Sequence, residues 1–387
     1  MMNKRTAQWN LALVSMTCIG TAAAGGITVY DQNDDFIKLG GRVQVQYHQK
    51  SPKVGDTTDS IFLRRFRPYI EGSLHKGWKG KLQWDMGKGK DDNELAVRDA
   101  YMQYRDLPNG KLTIGNAKAG FSRENMTSSK KQQLVERTFV GDHNYGVAGY
   151  MLGVRFDGHT ADKRIGYILS AGGMNLDPDD KKLDMDTPVN TAKDWNQGWA
   201  IAARIDYHPF GYLSFSQGDF KRKQKLTVGM GAFAWSNDDD NNTYTDAAGN
   251  HMGGDKVDVE TVNGLEFSAA YRNAGFSVDA QYNLINATTV DGAYSGGIFK
   301  SGETALTQVA LEGGYMIVPS TLELVAGIQS MDADGYAKEW TRNSVGVNWF
   351  MHKHDIKVQL TYRQGSNLNG EDGKDQDELF LQTQYVF

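Results

Sequence analysis

The histidines stand at 48, 75, 143, 159, 208, 251, 352 and 354, scattered along the chain. A zinc site needs three or four ligands converging on one point, and only His352 and His354 are close, in a short turn with no third ligand. No G-x-S-x-G elbow, H-E-x-x-H helix, P-loop or C-x-x-C pair occurs, so the usual nucleophile and phosphate-cradle chemistries have no motif. Asp332, Asp334 and Gly335 imitate the start of a calcium loop, yet Ser330 and Thr341 would occupy its first and twelfth positions. No catalytic residue, metal or cofactor is therefore expected. What remains is charge. Arg65, Arg67, Lys79 and Lys81 form one basic group, and Lys118, Arg123, Lys130, Lys131 and Arg137 form another. Cations gathered around a passage attract anions through their field, and guanidinium forks match phosphate or carboxylate oxygens.

The elements that hold these cations must cross a membrane or form a soluble β fold. The 387 residues include 44 glycines and 18 tyrosines but only 7 prolines, and the formal charge is -5. That charge gives no footprint for nucleic acid. No apolar run approaches the ~18 residues of a spanning helix. Lys4 and Arg5 precede an apolar stretch over 9–19, followed by Ala22-Ala23-Ala24. This order predicts a signal peptide over 1–24 and an exported mature domain over 25–387. Cleavage there removes Cys18, the single cysteine, so thiol chemistry is not expected.

The mature chain alternates with period two from end to end. Leu379, Leu381, Thr383, Tyr385 and Phe387 share one face of the last segment, and Gln382 and Gln384 the other. Ile356, Val358, Leu360 and Tyr362 alternate with Lys357, Gln359, Thr361 and Arg363 in the segment before it. A helix, with its period near 3.6, would mix these sets. Further alternation covers 78–86, 150–156, 199–207, 265–272, 276–283, 309–315, 322–329 and 345–351. Tight turns at 107–110, 208–211, 273–275, 319–320 and 352–354 trade places with long polar stretches at 175–197, 236–258, 289–304, 330–338 and 366–376. Short turns at one end and long loops at the other are the build of an outer-membrane barrel. Aromatics such as Trp199, Tyr207, Trp235 and Trp349 would supply its interfacial girdles. Taking 209–225 as one extended turn leaves an even number of strands. The expectation is an all-β, sixteen-stranded antiparallel transmembrane β-barrel with both termini periplasmic.

A barrel of that size encloses water. With apolar faces toward lipid, the inward cations include Lys38, Arg42, Arg65, Arg67, Lys79, Lys81, Arg155, Arg204, Arg272, Lys357 and Arg363. They concentrate in the first four strands. Residues 118–145, the third outer connection, carry the second basic group, and a long connection of this kind is expected to fold inward and narrow the lumen.

At this connection the chain resembles the phosphate-selective porin O and P family. The likeness rests on Ile114-Gly115-Asn116-Ala117-Lys118, Phe121-Ser122, Glu124, Thr127-Ser128-Ser129 and Glu136-Arg137. It extends to Arg64-Arg65, Val97-Arg98-Asp99-Ala100-Tyr101 and 213–219. The resemblance implies a trimeric sixteen-stranded porin of the outer membrane, in contact with lipid and lipopolysaccharide, with an inward third loop and basic residues along an anion path. By position, Arg65, Lys118, Lys130 and Arg137 are its foremost candidates. Departures are Gly120 where proline is usual, Arg123 where leucine is usual, and Lys131-Gln132-Gln133 in place of a more apolar stretch. Passive diffusion of small anions such as phosphate is the function expected. The competing readings are a general or cation-preferring porin, suggested by acidic outer loops such as 177–180 and 238–240, and a non-conducting scaffold or adhesin.

Overall fold

The computed structural model describes residues 26–32, 35–87, 95–238 and 244–387. The expected signal peptide, with Cys18, lies outside them. Nearly all regular structure is strand, in one nineteen-stranded antiparallel sheet with a separate two-stranded ribbon, Asn175–Leu176 with Met185–Asp186.

The alternation read from the sequence becomes an inside-out burial pattern. In Gly198–Tyr207, Ala200, Ala202, Arg204 and Asp206 are buried, while Trp199, Ile201, Ile205 and Tyr207 are exposed. The last strand, Gln376–Val386, buries Gln382 and Gln384 and exposes Leu381 and Tyr385. Water would reverse this choice, because burying an amide and exposing a leucine both raise the free energy. The pattern suits a sheet whose outer face meets hydrocarbon. Trp199 and Trp349 lie on that face, but Trp235 is buried and donates its indole N–H to the Met174 carbonyl at 2.7 Å. It is a loop anchor rather than a girdle residue.

Successive long strands pair antiparallel, and Gln376–Val386 also pairs with Arg42–Pro52, from Gln376 opposite Pro52 to Val386 opposite Arg42. Two strands near the start are interrupted. Asp35–Gly40 leads into Arg42–Pro52 across Gly41, and Thr58–Phe66 leads into Tyr69–His75 past Pro68, which has no N–H for the ladder. A strand at Ile27–Gln32, absent from the sequence reading, pairs with Asp35–Gly40.

Two bulges bear on function. Between Arg42–Pro52 and Thr58–Phe66 the register steps from Gln44 opposite Arg65 to Val45 opposite Leu63, so Arg64 is unpaired. Between Trp78–Asp85 and Ala96–Leu107 it steps from Gln83 opposite Asp99 to Trp84 opposite Val97, which leaves out Arg98. An extra residue in a strand turns the side chains around it.

The long outer connections are not simply solvated. Leu176, Leu183, Met185, Val257, Val259, Tyr294, Ile298 and Phe299 pack into one buried apolar cluster.

Candidate functional site

Residues 119–149 leave strand Gly110–Lys118 and form one α-helical turn, Arg123–Met126, and two 3-10 turns, Ser129–Lys131 and Phe139–Gly141. Ser122 begins that turn by accepting the Asn125 N–H at 3.3 Å. Most of the segment is buried, so its main-chain groups require partners. Strand side chains supply them. The N–H groups of Arg123, Glu124 and Phe139 donate to Glu266 (2.8 Å), Gln281 (2.8 Å) and Gln329 (3.0 Å). The Gln133 carbonyl accepts from Asn348 at 2.9 Å and Gln359 at 2.8 Å, and the Gln132 carbonyl from Lys357 at 2.8 Å. Gln217, from the turn-rich stretch 208–224, accepts the Gln133 N–H at 2.7 Å and donates to Glu312 at 2.7 Å. Gly120 has φ +82°, which proline cannot adopt, so the departure from the family pattern follows from the backbone.

Beside this segment lies a cavity of about 1020 Å³. Thirteen lysines or arginines line it against seven aspartates or glutamates, a formal excess of six positive charges. Of the nine cations singled out from the sequence, Arg65, Arg67, Lys81, Lys118, Lys130 and Arg137 are in the lining. Lys79, Arg123 and Lys131 are not. Lys79 pairs with Glu71 at 2.8 Å. Arg123 is buried on the other side of the segment, 3.2 Å from Asp279, because its strand partners there are acidic. That opposite wall is neutralised: Arg204 pairs with Asp206 (2.7 Å) and Glu266 (2.6 Å), and Arg272 with Asp279 (2.6 Å).

The cavity cations differ in what they have left to offer. Arg67 is held by Asp85 at 2.5 Å and Lys81 by Asp99 at 2.5 Å. Arg64, turned by its bulge into the lining beside Arg65, grips Glu136 through two bonds of 2.7 and 2.9 Å. Arg98, the other bulge residue, lies 3.7 Å from both Asp85 and Asp186. By contrast, Lys38, Arg42, Lys111, Lys118, Lys130 and Arg137 pair with no carboxylate among the described residues. Arg42 donates to Ser128 at 3.4 Å, Lys118 to the Asn125 carbonyl, and Arg137 to the Thr127 carbonyl at 2.8 Å. Sequence alternation alone passes over Arg64 and Arg98, since a bulge cancels the parity on which it depends.

Protonation follows the same contacts. Burial pushes Glu136 upward, but Arg64 outweighs it and holds the carboxyl below the usual carboxylate range. Glu124 is pushed up to about 7 by burial, against the opposing pull of Arg137. Burial would lower His143, yet Asp184 at 2.6 Å raises it to about 9. Burial lowers the Lys130 ammonium.

An antiparallel sheet with an apolar exterior and a charged interior cavity is the architecture of porins. Solved structures of this fold include the anion-selective porin from Comamonas acidovorans, with TM-score 0.58, 11% identity, and coverage of 91% of this chain and 99% of that one. OmpT of Vibrio cholerae, in a trimer form, gives 0.57 at 12% identity, covering 92% and 100%. The chain belongs to the family of phosphate-selective porins O and P, which it matches over residues 37–387. Porin O of Pseudomonas aeruginosa is 26% identical over 416 residues, covering 94% of this chain and 91% of that protein. The family and fold are those of an outer-membrane channel rather than an enzyme.

Proposed function

We propose that this porin carries small hydrophilic anions, phosphate among them, down their gradient along the basic cavity. The observation that carries the reading is the excess of six positive charges in the cavity lining, with six cations that pair with no carboxylate among the described residues. The chemistry suits phosphate because it offers both unspent ammonium groups and guanidinium forks. Arg65, Arg67, Lys81, Lys118, Lys130 and Arg137 form the path, and Lys79, Arg123 and Lys131, outside the lining, are left out of it. Residues 118–145 are the constriction, a reading supported by their bonds to buried strand side chains. Counting each interrupted strand as one bent span, and Ile27–Gln32 as a short addition beside Asp35–Gly40 rather than a span, gives sixteen, and the pairing of Gln376–Val386 with Arg42–Pro52 supports closure. The mature domain starts at Gly25 after signal removal, assembles as a homotrimer, and contacts lipid and lipopolysaccharide through its apolar face. The trimer form of Vibrio cholerae OmpT supports the assembly state.

The test is the reversal potential of purified protein in a planar bilayer under a KCl gradient. An anion-selective sign, reduced in Lys130→Glu, is expected. Lys130 is the better probe than Arg137, whose guanidinium also ties the segment together at Thr127. A cation-selective wild type would overturn the anion reading. It would favour the second one, a general porin governed by outer carboxylates such as Asp184 and Asp186, which share the lining.

A further inference from the structure

Asp186 belongs to the outer connection 174–197, and its carboxylate lines the cavity together with Lys182 and Asp184 of the same connection. That connection is fastened at the bulge. Val97 donates its N–H to Asn190 at 2.9 Å, and Asn190 donates back to the Val97 carbonyl at 2.8 Å. The next residue is Arg98. Its guanidinium lies 3.7 Å from Asp186 and 3.7 Å from Asp85, too far for a hydrogen bond to either. Its Nε is buried without a hydrogen-bond partner, and its plane faces the Tyr150 ring at 5.7 Å. Neither neighbouring carboxylate closes on it. Asp85 gives the oxygen nearest Arg98 to Arg67 at 2.5 Å, and Asp186 is anchored through its other oxygen, which accepts the Thr187 N–H at 2.8 Å. Arg64 and Arg67 of the lining are closed by short bonds to Glu136 and Asp85, and Arg65, 3.9 Å from Glu136, still donates to Gln44 at 3.1 Å. Arg98 is an arginine whose fork is held by charge alone.

We infer that Arg98 is a specificity-determining residue of the outer half of the path and that Asp186 is its resident counter-ion, which a permeating anion displaces. The inference rests on the anion reading above. An anion able to place two oxygens on the fork gains hydrogen bonds that Asp186 at 3.7 Å does not make. Chloride, a single point charge, gains less. Phosphate and carboxylates are therefore favoured over halide at this residue, and Asp186 sets how strongly.

The experiment is a double-mutant cycle read by single-channel recording, with inorganic phosphate added as blocker of the chloride current. Asp186→Asn is expected to raise the anion-to-cation permeability ratio and tighten phosphate block by roughly two- to fivefold, the range of a partly solvated ion pair. Arg98→Gln should lose phosphate block, and adding Asp186→Asn to it should restore none of it. Arg98→Lys, which keeps the charge without the fork, should hold the permeability ratio but lose the preference for phosphate. It replaces Arg98→Gln if that variant fails to assemble. Equal gains from Asp186→Asn with and without Arg98 would overturn the inference, as would Arg98→Lys blocking like wild type. Either result would leave the anion reading standing, whereas a cation-selective wild type would remove both.

Discussion

Glu136 shows how one carboxylate can organise several cations. It accepts two bonds from Arg64 and one from Gln46 at 3.1 Å, and it lies 3.9 Å from Arg65. Replacing it by glutamine leaves two largely buried guanidiniums without their counter-ion. Glu136→Gln should lose roughly 3 kcal/mol of stability, read as a lower unfolding midpoint in detergent, while its channels become more anion-selective. His143 carries a pH signature. Free imidazole loses its proton near 6.5, but beside Asp184 it keeps it up to about 9. The clasp between 143 and 184 therefore contributes fully below about 6.5, weakens above it, and is lost as pH rises through about 9. Hydrogen exchange in 174–197 should quicken between pH 7 and 10 beyond the intrinsic rate change, and His143→Gln should abolish that excess. Neither pairing was legible in the sequence, because Arg64 and Glu136 meet across 72 residues and His143 and Asp184 across 41.

At the scale of the element, the segment 119–149 owes its course to two things. One is Gly120, whose positive φ starts the turn and whose added Cβ would come within 2.5 Å of Ile168. Gly120→Pro, which the φ of +82° forbids, should cost about 3 kcal/mol or more and give channels of irregular conductance. The other is the stretch 208–224. The sequence marked 209–225 as an extended turn, and residues up to 224 do form turns and bends while Lys225 opens the next strand, but the stretch also reaches the segment through Gln217. Gln217→Ala leaves the buried Gln133 N–H and Glu312 without that partner, a loss of roughly 1–3 kcal/mol. Protease cleavage within 127–137 should become faster in that variant, and unchanged cleavage would argue against Gln217 as a support. The bulges at Arg64 and Arg98 belong to this scale as well. A period-two pattern shows which residues share a face, but not where the count slips.

At the scale of the whole molecule, charge is divided unevenly. The chain is acidic overall, yet the cavity carries a positive excess. A field of this kind reaches about 10 Å at 0.1 M salt and about 3 Å at 1 M. The anion preference should fall steeply between those salt concentrations, and a salt-independent reversal potential would point to steric rather than electrostatic selection. By itself the sequence determined the all-β antiparallel fold, because alternation that exposes leucine and buries glutamine has one stable solvent arrangement. It also determined which strands and which connection are rich in cations, because side-chain type and parity are local properties. Only the tertiary structure decided which of those cations remain unspent. Arg123 meets Asp279 across 156 residues, while Lys118 and Arg137 meet only carbonyls. Pairing is a matter of distances of a few ångströms between side chains far apart in the chain, and no periodicity encodes them.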